Sequence, residues 1–285
     1  MLNFQSLLLP FNLSLHSTST ISFLFNRCTT SISFVTDTLF PYAAERLQSH
    51  VAAAWGSQEL ADDIAALALQ STDDVQAGLV GAADALVGSD AVAAAHAATL
   101  ISSSETDGTA KTTTIAAVTA NVLWQMAANR KTGALKQLQG HIWRSGYATG
   151  ALKGHVFDDV LPALQAWVAA GRRVYIYSSG SREAQRLLFN YSSAGDLRPL
   201  ISGFFDTKVG PKTSSMSYSD IVLSLGVDFP CRVLFLTDAL LEAQAARSAG
   251  LCVAVTDRPG NAMLPSNHGF RVIATFAEAL KTVDK

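Results

Sequence analysis

From about residue 154 to the C-terminus, short apolar runs and amphipathic segments take turns along the chain. Val174, Tyr175, Ile176 and Tyr177 form one such run; Ser178-Ser179-Gly180-Ser181 stops it, and Glu183, Ala184, Gln185, Leu187 and Leu188 then fall into helical rhythm. A brief β-branched and aromatic run bounded by small residues predicts a strand, and a 3.6-residue period predicts a helix. The same pattern predicts strands over 173–177, 204–205, 233–236 and 251–255. It predicts helices over 160–170, 182–191, 218–225 and 241–249, with Gly171, Gly226 and Gly250 as stops. Strand and helix in alternation give an α/β fold, a doubly wound parallel sheet with helices on both faces.

Residues 37–130 follow another rhythm. Tyr42, Ala43, Leu47 and Val51 recur at helical spacing, as do Ile64, Leu67 and Ala68, and later Ile115, Val118, Val122 and Met126. Strand-like runs are missing there, and the Ser/Thr/Gly-rich piece 102–114 reads as a loop. The chain therefore divides into an α/β core, residues 1–36 and 145–285, and an inserted all-helical unit, residues 37–144. Gly146, Gly150 and Gly154 read as a hinge between them. Residues 1–28 are atypical: residues 21–25 suit a strand, but Pro10, Asn12 and His16 break the apolar pattern before it. No basic residue precedes Arg27, which argues against a secretory signal or an Arg-rich presequence.

Composition narrows the function. A chain of 285 residues with 49% hydrophobic and 15% charged residues suits a globular domain, and no run of eighteen apolar residues suits a membrane span. A net charge of −2 offers no general attraction to nucleic acid. The charge is uneven: nine carboxylates and no Lys or Arg lie between Arg46 and Lys111, which leaves the remainder at +7 and compatible with a phosphorylated ligand. Cys28, Cys231 and Cys252 form no metal-binding spacing, and Cys252 reads as a buried strand residue. His141, His155 and His268 read as structural or substrate-edge residues. No coiled-coil repeat argues for more than a monomer.

In a doubly wound sheet the ligand crevice lies beyond the carboxyl ends of the strands. Ser178-Ser179-Gly180, the loop 206–212 and Thr237-Asp238 all fall at such ends. Serine hydroxyls and backbone N–H groups at a helix start suit a phosphate, Lys212 suits its charge, and Asp238 suits Mg²⁺. Helix N-capping by the serines or by Asp238, and a solvated loop for Lys212, are the plain alternatives. Gly210-Pro211-Lys212-Thr213 lacks the preceding glycine pattern of a P-loop.

Ser, Lys and Asp at the ends of successive strands resemble motifs two, three and four of the haloacid dehalogenase-like superfamily. The stretches Phe34-Val35-Thr36-Asp37-Thr38-Leu39-Phe40-Pro41, Gly154-His155-Val156-Phe157-Asp158-Asp159, Tyr177-Ser178-Ser179-Gly180-Ser181 and Arg258-Pro259-Gly260-Asn261 are similar to one family within it, the enolase-phosphatases (acireductone synthases) of methionine salvage. The resemblance implies Ser178, Ser179 and Lys212 as substrate-phosphate contacts, Asp238 as a Mg²⁺ ligand, and a helical cap inserted after the first motif. It implies that a 2,3-diketo-5-methylthiopentyl phosphate is enolised and then hydrolysed to the acireductone and phosphate, in the cytoplasm or nucleus. Its partners would be the small phosphorylated substrate alone, without nucleic acid or membrane.

The first motif departs from that pattern. The family carries Asp-x-Glu-Gly-Thr-Thr about a dozen residues before Phe-Val, and alignment puts Leu24 at the nucleophilic aspartate, Asn26 at the glutamate and Arg27 at the glycine. Leucine can neither form an aspartyl-phosphate nor hold Mg²⁺, and asparagine is a poor proton donor. Two explanations compete: a non-catalytic relative that binds a phospholigand or a protein, or a start in which the first 28 residues replace the true first strand and motif. The second is favoured, because the resemblance begins abruptly near Thr29 with three motifs intact.

Overall fold

The computed structural model describes residues 22–25, 28–79 and 108–279, and for 22–25 and 109–110 the backbone alone. Six strands form one parallel sheet in the order β3-β2-β1-β4-β5-β6. They are β1 (Ser22–Phe25), β2 (Arg173–Tyr177), β3 (Gly203–Phe205), β4 (Val233–Thr237), β5 (Cys252–Thr256) and β6 (Arg271–Ile273). β6 escaped the sequence reading, because Arg271-Val272-Ile273 has only two apolar residues and sits at the sheet edge. β1 is central, with Leu24 opposite both Tyr175 of β2 and Phe235 of β4.

Both faces of the sheet are covered, which is why β4 is buried along its whole length. Val174, Ile176, Leu234, Leu236 and Ala254 pack with Leu164 and Trp167 of α5 (Val160–Ala169) and with Phe276. On the other face Tyr175, Tyr177, Val233 and Phe235 meet α7 (Ser215–Leu225) and α8 (Leu240–Ser248). The stop at α7 is a true left-handed cap, with Gly226 at φ 62.

The helical unit has a core of its own. A π-helical turn over Phe34–Leu39 leads into α1 (Phe40–Ala53), followed by α2 (Gln58–Gln76), α3 (Gly108–Ala127) and α4 (Gly133–Ala148). Leu47, Val51, Ile64, Leu67, Val118, Val122, Leu138 and Ile142 are buried together. Ser57 and Thr132 cap α2 and α4 by accepting the Leu60 and Leu135 N–H groups. A polar ladder crosses this apolar core: Asn121 donates to Ser71 Oγ at 2.7 Å, Gln125 to Asn121 Oδ1 at 2.8 Å, and Thr132 Oγ1 to Gln125 Oε1 at 2.7 Å.

The two units meet through α6 (Arg182–Asn190). Ala184, Leu187 and Leu188 pack on the helical core, whereas Phe189 belongs to the sheet core. Three expectations change here. Residues 108–114, read as loop, are the first turns of α3, where the alanine-rich continuation outweighs the Gly/Thr signal. Of the supposed hinge glycines, Gly146 and Gly154 are instead close-packing positions. A Cβ at Gly146 would stand 2.7 Å from the Tyr42 ring, and one at Gly154 only 2.4 Å from the Leu188 carbonyl oxygen. Cys252 does begin β5, but it is exposed rather than buried, because the strand starts at the open amino edge of the sheet.

Arg258 fastens the core behind the strand ends. Its guanidinium donates to both Asp159 oxygens at 2.9 Å, to the Ala274 carbonyl at 2.9 Å and to the Cys28 carbonyl at 3.1 Å. It also lies between the Phe157 and Phe276 rings, 4.8 and 4.7 Å from their centroids. The fork and the stacking together require a planar cation, which lysine does not supply. Arg258→Lys is expected to lower stability by about 3 kcal/mol, as when a buried charge pair loses its geometry. Urea unfolding followed by circular dichroism would measure this, and a change under about 0.5 kcal/mol would refute the clamp.

Candidate functional site

The carboxyl edge of the sheet collects the polar groups that the sequence singled out. Ser178 follows β2, and Asp238 follows β4. Leu24 is level with Tyr175 and Phe235, so Ser178 and Asp238 are each three residues beyond its level. They flank β1 at one height, about 10 Å apart for two strand spacings.

Ser178, Ser179 and Gly180 are partly buried and precede α6. The helix cap itself is Ser181, whose hydroxyl accepts the Ala184 N–H at 3.1 Å. Capping therefore explains Ser181 and leaves Ser178 and Ser179 to another role. Ser178 Oγ accepts the Gly180 N–H at 3.2 Å, and Gln185 Nε2 donates to the Gly180 and Phe205 carbonyls, both at 2.9 Å. These bonds fix the turn that presents the hydroxyls beside a helix N-terminus.

Lys212 is buried rather than solvated, and its Nζ lies 2.5 Å from Glu242 Oε1. The other Glu242 oxygen accepts the Thr237 hydroxyl at 2.9 Å. The lysine is thereby tied to the residue that precedes Asp238. Asp238 is not a helix cap, since the capping position of α8 is Ala239, with no side-chain cap bond. Among the described residues no group of three or more His, Cys, Asp or Glu could hold a metal ion; the carboxylates at this edge are Asp238, Asp206, which follows β3, and Glu242, which pairs with Lys212.

The loop bearing Lys212 is held from below by two phenols. Tyr177 donates to the Gly210 carbonyl at 2.9 Å, and Tyr218 to the Lys212 carbonyl at 2.7 Å. The rings meet edge-on, 5.6 Å apart. Burial pushes the Tyr177 phenol up to about 12 and raises Tyr218 as well, so both remain donors at neutral pH. Gly210 takes φ 139, and a Cβ there would stand 2.3 Å from Ser217 Oγ, so this bend admits only glycine. The sequence named Tyr177 and Thr237 only as parts of strand-end stretches, and the positioning roles of Tyr177, Tyr218, Thr237 and Glu242 were missed in it. The one available signal was the four-residue spacing from Asp238 to Glu242, which reads equally as a helix start.

Leu24 stands in β1 itself, and Asn26 and Arg27 lie outside the described residues, as do Asp84, Asp90, Glu105 and Asp107 of the acidic block. His155 is structural: its Nδ1 accepts the Ser31 N–H at 3.2 Å. His268 Nδ1 accepts the Phe270 N–H at 3.0 Å.

A charged chain joins the helical unit to the site helix. Arg144 of α4 donates to Glu59 of α2 and to Glu183 of α6, at 2.7 Å each. His141, one turn before Arg144, holds Asp63 of α2 through Nδ1 at 2.6 Å. The hydrogen bond to Asp63 raises the His141 pKa, and burial opposes it. Burial lowers the pKa of nearby His50.

No family model matches the chain. The probable bifunctional methylthioribulose-1-phosphate dehydratase/enolase-phosphatase E1 proteins of Vitis vinifera, Populus trichocarpa and Arabidopsis thaliana are 48%, 49% and 46% identical to it over 250 residues, or 88% of the chain. The chain spans a little under half of these relatives, 45% of the Vitis and Populus proteins and 46% of the Arabidopsis protein. Among solved structures, the UTR4 protein of Saccharomyces cerevisiae superposes with a TM-score of 0.66 at 27% identity, over 90% of this chain and 98% of that one.

The charged chain has a consequence for pH. A histidine whose pKa is raised by folding adds stability that is complete below its unfolded value of about 6.5 and fades as pH climbs through the higher folded value. Replacement by glutamine, His141→Gln, should therefore cost most below about pH 6.5 and progressively less above it; it also relieves the repulsion that His141 exerts on His50, which works in the same pH window. Urea titrations of the two proteins from below about pH 6.5 to well above it would show this, and a pH-independent difference would exclude it.

Proposed function

We propose that this chain, which belongs with the enolase-phosphatases of the haloacid dehalogenase-like superfamily, is built to bind the phosphate of a 2,3-diketo-5-methylthiopentyl phosphate and to release it as the acireductone and inorganic phosphate. The observation that carries this reading is the gathering of Ser178-Ser179, Lys212 and Asp238 along one sheet edge, next to a helical unit seated on the helix that Ser181 caps. The hydroxyls and N–H groups of the 178–180 turn would take the phosphate oxygens, and Lys212 would face their charge with Glu242 fixing its position. Asp238 suits Mg²⁺, which commonly takes one or two protein carboxylates and completes its shell with phosphate and water. Bound there, the ion would neutralise charge on the enolate and on the transferring phosphoryl group. The helical unit would cover the substrate and keep water from the enol.

Leu24 supports a second reading, in which the chain holds the phospholigand without turning it over. One experiment separates the two. Phosphate release in Mg²⁺ is measured for the chain as written and for a Leu24→Asp, Asn26→Glu variant, alongside calorimetric binding of the same substrate. The double variant is expected to gain at least about tenfold in release, because a carboxylate nucleophile opens the two-step covalent route. Binding without release in both proteins would favour the binding module, and neither binding nor release would reject the site. Lys212→Ala in the double variant should reduce release by about a hundredfold or more, the scale of losing one electrostatic contact to the transition state. An unchanged rate would remove Lys212 from the site.

A further inference from the structure

The amino edge of the sheet, opposite the polar site, carries a feature that the phosphatase reading does not use. Cys231 lies in a 3₁₀ turn, Pro230–Arg232, that feeds β4, and Cys252 is the first residue of the neighbouring β5. Both are exposed, and both are free thiols. Cys252 Sγ lies 3.1 Å from the Cys231 carbonyl oxygen, with the S–H donating. The ladder sets Cys252 directly opposite Leu234, three residues beyond Cys231, and the 3₁₀ turn folds Cys231 back towards it. A second contact fixes the approach. Gly250, at φ 84, would place a Cβ 3.3 Å from the Pro230 Cβ, so the turn and the start of β5 touch where any side chain at 250 would separate them.

We infer that Cys231 and Cys252 are a reversible redox pair, which a thiol–disulfide oxidant such as glutathione disulfide closes into an intrachain disulfide. A disulfide needs Cα atoms about 4.4–6.8 Å apart and side chains free to turn. The structure supplies a thiol already seated on the other cysteine's backbone, with both residues at the surface, and the pairing needs side-chain rotation to bring the two sulfurs together. Cys252 is exposed as a residue while its sulfur turns onto the protein, and that burial raises its pKa. Cys252 spends its S–H on the Cys231 carbonyl, so Cys231 is the first nucleophile. Its thiolate attacks one sulfur of glutathione disulfide and expels a glutathione thiolate. The Cys252 thiol then loses its proton to solvent, attacks the Cys231 sulfur and expels the second glutathione thiolate. Two protein thiols are oxidised, and one glutathione disulfide is reduced to two thiols.

The bond would staple residues 21 apart in sequence. The enclosed stretch is β4, the Thr237-Asp238 corner and α8 with Glu242, so the clasp brackets one crossover of the polar site from the far side of the sheet.

The test uses the full chain in its reduced form, incubated with glutathione disulfide, alkylated under denaturing conditions and mapped by mass spectrometry. The expected product is one linked peptide pair joining Cys231 to Cys252, a protein mass lower by two hydrogens, Cys28 recovered as the alkylated thiol, and full reversal by dithiothreitol. Cys28 is completely buried and stays out of the reaction. The Cys231→Ser variant should stop at a glutathione adduct on Cys252, or remain unmodified, with no linked peptide. Glutathione adducts that persist separately on both cysteines of the unsubstituted chain would overturn the pair. So would disulfides between two copies of the chain, seen as a dimer on a non-reducing gel.

Discussion

The fold turns on a helix shared by two cores. Arg182–Asn190 presents Leu187 and Leu188 to the helical unit, and Phe189 to the sheet. A short helix wedged between two close-packed interiors has little freedom to tilt, because either tilt opens a void on one side. Its N-terminal turn continues directly from the serines at the end of β2. The geometry of the turn 178–181 is therefore set by packing at the opposite end of the same helix. Arg144 reinforces this from the charged side by linking Glu183 to Glu59, across the boundary of the two units.

A buried ammonium is tolerable only beside a partner. Lys212 meets that condition through Glu242, which in turn is oriented by the Thr237 hydroxyl. The pair carries no net charge, and it holds the ammonium at a sheet edge where a helix also begins. Loop and lysine are positioned by aromatic residues of the sheet core, through phenols whose raised pKa values keep them as donors. Position here is a property of the interior.

Much of this was legible in the chain. The strand 173–177 appeared from residue types alone and matches its observed bounds, since four adjacent β-branched or aromatic residues flanked by arginine and serine leave little choice. The start of the third long helix was lost because glycine and threonine around 108–114 signal a loop locally, whereas packing of Ile115, Val118 and Val122 decides the helix. The places of Ser178, Lys212 and Asp238 beyond strand ends could be read, because each follows an apolar run that stops at polar residues. Glu242 could not, because its role depends on a salt bridge across 30 positions of sequence, and no local pattern encodes that. The glycines 146 and 154 illustrate the same limit. Their punctuation was visible, but the tyrosine ring and the carbonyl that require them were not.

Alanine-rich helices have smooth, nearly interchangeable faces, and small apolar contacts alone would let them slide past one another at little cost. The buried side chains of Ser71, Asn121 and Gln125 and the half-buried hydroxyl of Thr132 change this, because displacement by a single helical turn would strand several of them opposite methyl groups. They work as an index mark, rejecting mis-threaded arrangements of the bundle more than they deepen the correct one. Sequence drift among the surrounding alanines can then proceed freely, provided that this row of four is kept in step.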